Sequence, residues 1–206
     1  MIQTGQNLAP DSTPEQYWKA LKSDDGEALS VLYSLYANPL YNYGSKFSSD
    51  EEVVKECIQS LFVTLWDRRN SLGTPVNVKN YLFKALRVSI FKHKKLFEMQ
   101  QRLKEGENYS FLATLSIEDE LIIGEDTSAL QLRLQAGLEQ LSPRQREAVF
   151  LRFYEGMSYA EVAEIMDISV KGTYKVMARA IDALRENLDQ GDFSVLFVLF
   201  SYKLFN

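Results

Sequence analysis

Helix-initiation signals recur along this chain so often that a sheet has almost no room to form. Thr13-Pro14-Glu15-Gln16 offers a capping hydroxyl, a proline at the first helical position and a Gln that can reach back to the cap. Ser142-Pro143-Arg144-Gln145 repeats the device, and Ser49-x-x-Glu52 and Ser158-x-x-Glu161 add two more capping boxes. Signals for β-strands are nearly absent. The starts and the apolar spacing predict helices near 14–22, 25–37, 39–46, 50–69, 77–98, 127–140, 143–155, 159–166 and 170–188. The expected fold is all-α, with two small helical domains over 1–98 and 131–190. An acidic linker, 99–130, joins them, and an apolar tail, 191–206, follows.

Charge tells the same story of parts. The 206 residues hold 23 Lys+Arg and 28 Asp+Glu, a net −5 that taken alone argues against a nucleic-acid binder. The charge is segregated, however. Residues 1–67 carry −6, residues 68–104 carry +9 and residues 105–141 carry −7. Residues 142–186 are balanced and 187–206 carry −1.

Several chemistries are excluded by what is scarce. One cysteine, Cys57, allows no intramolecular disulfide, and one histidine, His93, allows no ordinary His/Cys zinc cluster. No nucleophile–base pair, phosphate loop or metal cluster can be assembled, so an enzyme is the least expected class and no cofactor is expected. The first thirteen residues have neither a basic start nor an apolar core, so no signal peptide is expected. The apolar run Phe193–Phe200 is far shorter than the roughly 20 residues that span a bilayer. The chain therefore reads as cytoplasmic, without stable membrane insertion.

Two helices in the N-terminal half differ in kind. In 50–69, Val53, Val54, Cys57, Ile58, Leu61, Phe62, Leu65 and Trp66 form one wide apolar stripe, with Glu51, Glu52, Lys55, Glu56, Gln59 and Thr64 opposite. The stripe is expected to pack on neighbouring helices and the polar face to meet solvent. In 77–98, Tyr81, Leu82, Ala85, Leu86, Ser89, Ile90 and Phe97 can face a core, while Lys84, Arg87, Phe91, Lys92, His93, Lys94 and Lys95 occupy the rest. Basic groups interleaved with aromatics suit phosphate neutralisation and base stacking, the two ingredients of single-strand binding. Such a helix also suits an acidic membrane surface or plain solvation.

The most specific local signal lies at 158–180. Ser158 starts a short helix, Asp167-Ile168-Ser169 makes a tight turn, and a second helix begins at Val170 under the Ser169 cap. Small Ala163 permits close approach, and Val162, Ile165, Ile168, Val176 and Met177 fill the space between the two helices. In a helix-turn-helix the first turns of the second helix enter the major groove. Ser169, Lys171, Gly172, Thr173, Lys175 and Arg179 are the candidate DNA contacts. Gly172 inside the helix costs roughly 1 kcal/mol relative to Ala, and close approach to a DNA backbone is one compensation for it. An ordinary helical hairpin is the alternative reading of the same residues.

Taken together, these motifs resemble the small two-domain sigma factors of bacterial RNA polymerase, the extracytoplasmic-function group of the sigma-70 family. Leu138 through Ala163, Ile168-Ser169, Arg179-Ala180 and Leu184-Arg185 resemble region 4 of that family. Leu32-Tyr33, Tyr36, Leu40-Tyr41, Gln59-x-x-Phe62-x-x-Leu65-Trp66-x-Arg68 and Tyr81 through Arg87 resemble region 2. The resemblance implies that helix 50–69 docks on the clamp coiled coil of the polymerase β′ subunit through Glu56, Gln59, Arg68 or Arg69. It implies that helix 77–98 binds and helps open the -10 element, that the second C-terminal helix reads the -35 element, and that the C-terminal domain sits on the β flap. An anti-sigma protein is a further implied partner. The sequence departs from the family where Asn and Asp are frequent and Val88 and Lys92 stand here. The tail Phe193–Phe205 has no counterpart in the minimal family pattern; packing or partner contact is expected of it. A stand-alone helix-turn-helix regulator and a degenerate sigma-like adaptor that does not melt promoters are the competing readings.

Overall fold

A computed structural model describes residues 12–101, 110–112 and 127–205. The chain divides into two units, 1–106 and 107–206. Among the described residues there are nine α-helices and no strand. Most of the linker expected at 99–130 lies outside the described residues, as do the first eleven residues.

In the first unit, α1 (Pro14–Leu21) starts as the sequence requires, with the Thr13 hydroxyl and the Gln16 side chain closing a reciprocal box. α2 (Gly26–Gly44) is one helix where two were expected at 25–37 and 39–46. Pro39 removes a donor and costs a helix interior roughly 3 kcal/mol. Leu32 on one side of it and Leu40 and Tyr43 on the other are all buried, and that shared burial carries the helix through. α3 (Glu51–Arg68) is capped by Asp50 and not by Ser49. The Asp50 carboxylate accepts from the amides of Glu52 and Val53, and the Ser48 hydroxyl accepts from the Asp50 amide. An ionised cap at the positive end of the helix dipole outcompetes the neighbouring hydroxyl.

α4 (Val78–Gln101) packs against α2 and α3, and Val78, Leu82, Phe83, Leu86 and Ile90 are fully buried in that seam. Gly44 sits where the helices come closest: a Cβ there would lie 2.6 Å from Val54 Cγ1. Of the stripe predicted on α3, six residues are buried, while Val53 and Trp66 are only partly covered. Trp18 ties α1 to the loop before α4, donating to the Gly73 carbonyl at 3.0 Å and meeting the Tyr81 ring edge-on at 4.9 Å.

The second unit consists of α5 (Thr127–Glu139), α6 (Pro143–Val149), a π-helical turn (Phe150–Tyr154), α7 (Tyr159–Met166), α8 (Val170–Asn187) and α9 (Gln190–Phe205). The Ser142 and Ser158 boxes form as read from sequence. The helix expected over 143–155 changes pitch at Phe150, which lets Phe150, Leu151 and Phe153 all be buried. Phe111, in the acidic linker segment, is fully buried against Phe150, ring centroids 5.9 Å apart. The tail, of which packing or partner contact was expected, is helical as α9 and packs against α5, α8 and the π turn.

Candidate nucleic-acid interface

The C-terminal hairpin is built from short-range contacts. Asp167 closes α7 in the left-handed conformation at φ 54°, ψ 51°, a position where Asp is better tolerated than most residues. The Ile168 amide then donates back to the Ala163 carbonyl at 3.0 Å. Ser169 caps α8, its hydroxyl accepting from the Gly172 amide at 3.0 Å. Val162, Ala163, Ile165 and Met177 are buried between the two helices as expected, and Ile168 and Val176 are partly covered.

With its start fixed, the outward face of α8 is decided. Val170, Lys171, Tyr174, Lys175, Ala178 and Arg179 are exposed, at the spacing of one helical face. Lys171, Lys175 and Arg179 thus stand where the sequence put them. Thr173 does not: it is fully buried, and its hydroxyl turns back to the Ser169 carbonyl at 3.4 Å, so it belongs to the hairpin core and cannot touch DNA. Gly172 also has an internal reason. A Cβ there would stand 3.2 Å from the Ser169 Oγ, so the small residue keeps room for the cap without any DNA being invoked.

Tyr174, missed in the sequence, is 56% exposed on this face. It is stacked on Tyr159 at 4.3 Å, and the Arg152 guanidinium lies over the other ring at 5.3 Å. Arg152 in turn donates to the Met157 carbonyl at 2.8 Å. The i, i+3, i+4 spacing with Val170 and Lys171 was the available signal for it.

The basic helix of the first unit is a different object. Phe91 meets the Phe47 ring edge-on at 5.6 Å, and Arg87 lies over Phe91 at 4.6 Å. Lys94 donates to the Phe47 carbonyl. Phe47 itself is buried beside Tyr43, which stacks on Phe83 at 5.1 Å. Lys92 is exposed, and Lys84 and His93 are half-buried. Lys95 is on α4, but its side chain lies outside the described residues. Val88, one of the two departures, is 42% exposed.

On α3, Glu56 and Gln59 are exposed and share the outward side with Val63, and Arg68 is exposed at the last turn on a different side of the helix. Arg69 is turned elsewhere. It pairs with Asp24, donates to the Trp66 carbonyl at 2.7 Å and stacks over the Trp66 ring at 4.1 Å, which fastens the end of α3 to the α1–α2 turn. Cys57 is buried, and burial pushes its thiol pKa above the ordinary value, the opposite of what a reactive thiolate needs. Among the described residues no group of His, Cys, Asp or Glu could hold a metal ion, and no helix is long and apolar enough to cross a membrane.

Residues 131–184 match the family model "Sigma-70, region 4". The chain is 20% identical over 167 residues to the ECF RNA polymerase sigma factor SigX of Bacillus subtilis (strain 168), covering 79% of this chain and 84% of that one. Its fold is similar to that of CnrH solved in complex with the cytosolic domain of CnrY, with a TM-score of 0.58 and 19% identity over 85% of this chain and 97% of the other. It is equally similar to the sigma factor RpoE of Bartonella quintana, solved with the anti-sigma factor NepR, with a TM-score of 0.58 and 20% identity over 80% and 98% of the two chains. Residues 131–184 thus match region 4 of the sigma-70 family, and the chain as a whole is similar in sequence to an extracytoplasmic-function sigma factor and in its all-helical fold to CnrH and RpoE.

Proposed function

We propose that this chain is a promoter-specificity subunit of bacterial RNA polymerase, which binds the core enzyme and directs initiation at promoters with defined -10 and -35 elements. The observation that carries the reading is the pairing of two unlike basic helices in one chain. α8 has an exposed face of groove-reading shape, and α4 has Arg87 fixed over the Phe91 ring beside further basic groups. The first suits duplex and the second suits separated strands.

In this reading Lys171, Tyr174, Lys175 and Arg179 face the -35 element. Lys84, Arg87, Phe91, Lys92, His93 and Lys94 face the -10 element. Glu56, Gln59 and Arg68 meet the polymerase. The chain needs no covalent chemistry of its own: opening exchanges base stacking and pairing for protein contacts, at a few kcal/mol per base removed. A protein with −6 on its first 67 residues binds free DNA poorly and gains affinity when polymerase aligns its basic surfaces. An anti-sigma protein is the second partner, by analogy with the complex of RpoE with NepR.

Run-off transcription on genomic fragments, with and without purified core polymerase, tests this. Defined starts that require both proteins are expected. A chain that neither binds core enzyme nor initiates at any promoter ends the reading. The adaptor reading is kept by one observation, that Arg87, Phe91 and Lys94 are all engaged with their own unit. Charge reversal of Lys92, Lys94 and Lys95 without loss of transcription would select it.

A further inference from the structure

The matched family module ends at residue 184, and α9 lies wholly beyond it. The hairpin core is built mainly by α6, α7 and α8, whose mutual packing buries Val162, Ile165, Met177, Ala180 and Leu184. Against that finished module, α9 lays a single stripe. Asp192, Leu196 and Phe200, at i, i+4 and i+8, are its buried side chains among those described. Phe200 stacks on Phe153 at 4.2 Å with the rings nearly parallel. Asp192 takes a two-pronged pair from Arg133 of α5, at 2.6 and 3.1 Å.

The other side of α9 is also apolar. Val195, Phe197 and Val198 are 37%, 54% and 65% exposed. A helix belonging permanently to one surface presents polar groups outward, whereas a helix apolar on both sides is suited to more than one burial. It is attached through the short Leu188–Asp189 turn, where the Asp189 carboxylate accepts from the Asp192 amide at 2.8 Å and starts the helix. Such a tether gives α9 a high effective concentration over its groove, and it keeps the groove filled with few contacts.

We infer that α9 is a detachable lid on a helix-binding groove formed by α5, α8 and the π turn. A partner helix carrying an acidic residue followed at +4 and +8 by Leu and Phe or their like takes the groove when α9 leaves. The partner's chemistry is read from the occupant: the carboxylate finds Arg133, the aromatic ring finds Phe153, and the aliphatic side chain between them fills the buried place of Leu196. The part concerning the transcription machinery rests on the function proposed above. A lid of this kind lowers apparent affinity by the fraction of molecules that are closed.

The test uses the full chain and a labelled synthetic peptide of residues 190–205, followed by fluorescence anisotropy. Asp192→Arg loosens the lid and leaves Arg133 in place, so this variant is expected to bind the peptide about tenfold more tightly than the parent chain does. Arg133→Glu should not bind it, and should bind a peptide carrying the Asp192→Arg change. Amide exchange should show α9 opening faster in both single variants while α8 is unchanged, with the double variant restored. Equal peptide binding by parent and Asp192→Arg chains, or α9 amides exchanging only together with those of α8, overturns the lid. Core polymerase is the second probe. Tighter binding by Asp192→Arg supports a partner in the groove, and unchanged or weaker binding refutes that partner while the peptide result still decides the lid. Absence of polymerase binding by every chain would count against the proposed function, and the peptide arm would be unaffected.

Discussion

α4 and α8 are both basic helices, yet they present their charges in opposite ways. On α8 the cations stand on an exposed face, and the helix is held from behind by Ala163, Thr173, Met177 and Ala180. On α4 Arg87 and Lys94 are folded onto the Phe91 ring and the Phe47 carbonyl of the same unit, and buried Phe47 backs Phe91 from beneath, while Lys92 stays exposed. The difference matches the proposed targets. Reading an intact groove requires side chains that project from a rigid rod, whereas holding separated bases requires a flat platform already in place, because loose aromatics would lose entropy on stacking.

The comparison breaks most readily at Phe47. Phe47→Ala empties a buried site shared by Tyr43 and Phe91 and should cost the first unit about 3–5 kcal/mol in a denaturant melt. It should also impair promoter opening more than duplex binding; a melt shifted by less than about 1 kcal/mol would show that the platform is not structural.

Next in size is the pair Lys171→Ala and Lys175→Ala. Removing both should weaken binding of polymerase-bound protein to promoter DNA by about tenfold to a hundredfold and lower the salt slope by about 2, with stability unchanged within about 0.5 kcal/mol. An unchanged salt slope would take α8 off the DNA.

In the second unit acidity acts through Asp192. The Arg133 hydrogen bond holds its carboxyl below the ordinary value, against the opposing effect of burial. A depressed carboxylate pKa contributes stability that is present above the unfolded value of about 3.9 and is lost as pH falls through the folded value. Asp189, the cap beside it, is the other acid at this end of α9. Amide exchange in α9 should therefore accelerate below about pH 4 before α8 is affected. Exchange in α9 that is flat with pH down to global unfolding would remove the ion pair from the account.

Gly172→Ala should give the smallest effect. The gain in helix propensity of roughly 1 kcal/mol is offset by crowding of the Ser169 cap, itself worth about 0.5–2 kcal/mol. The melt should move by no more than about 1 kcal/mol, and DNA binding should be unchanged. A large loss of DNA binding at unchanged stability would restore close backbone approach as the reason for the glycine.

Much of the molecule was legible before its structure. The caps at Thr13, Ser142, Ser158 and Ser169, the left-handed turn at Asp167 and the apolar stripe of α3 involve residues within four positions of one another, and local spacing encodes them. Three misreadings share a cause. Pro39 looked like a break because its penalty is local and its compensation, burial on both sides, is not. Thr173 looked exposed because polar type was taken for position, whereas the packing of α8 on α6 and α7 chose the face. α9 showed no helical period because it is apolar on both sides, although Asp189 was a readable start.

The sequence by itself determined where most of the helices begin, that the fold is helical, and that a capped helical hairpin lies in its second half, since all of these follow from contacts a few residues long. Only the tertiary structure decided which cations are presented and which are held. The contacts that hold them join residues far apart in the chain: Arg69 with Asp24, Lys94 with Phe47, Arg133 with Asp192. A charge pattern can mark a helix as basic, but where each charge points is set by the neighbours that packing brings to it.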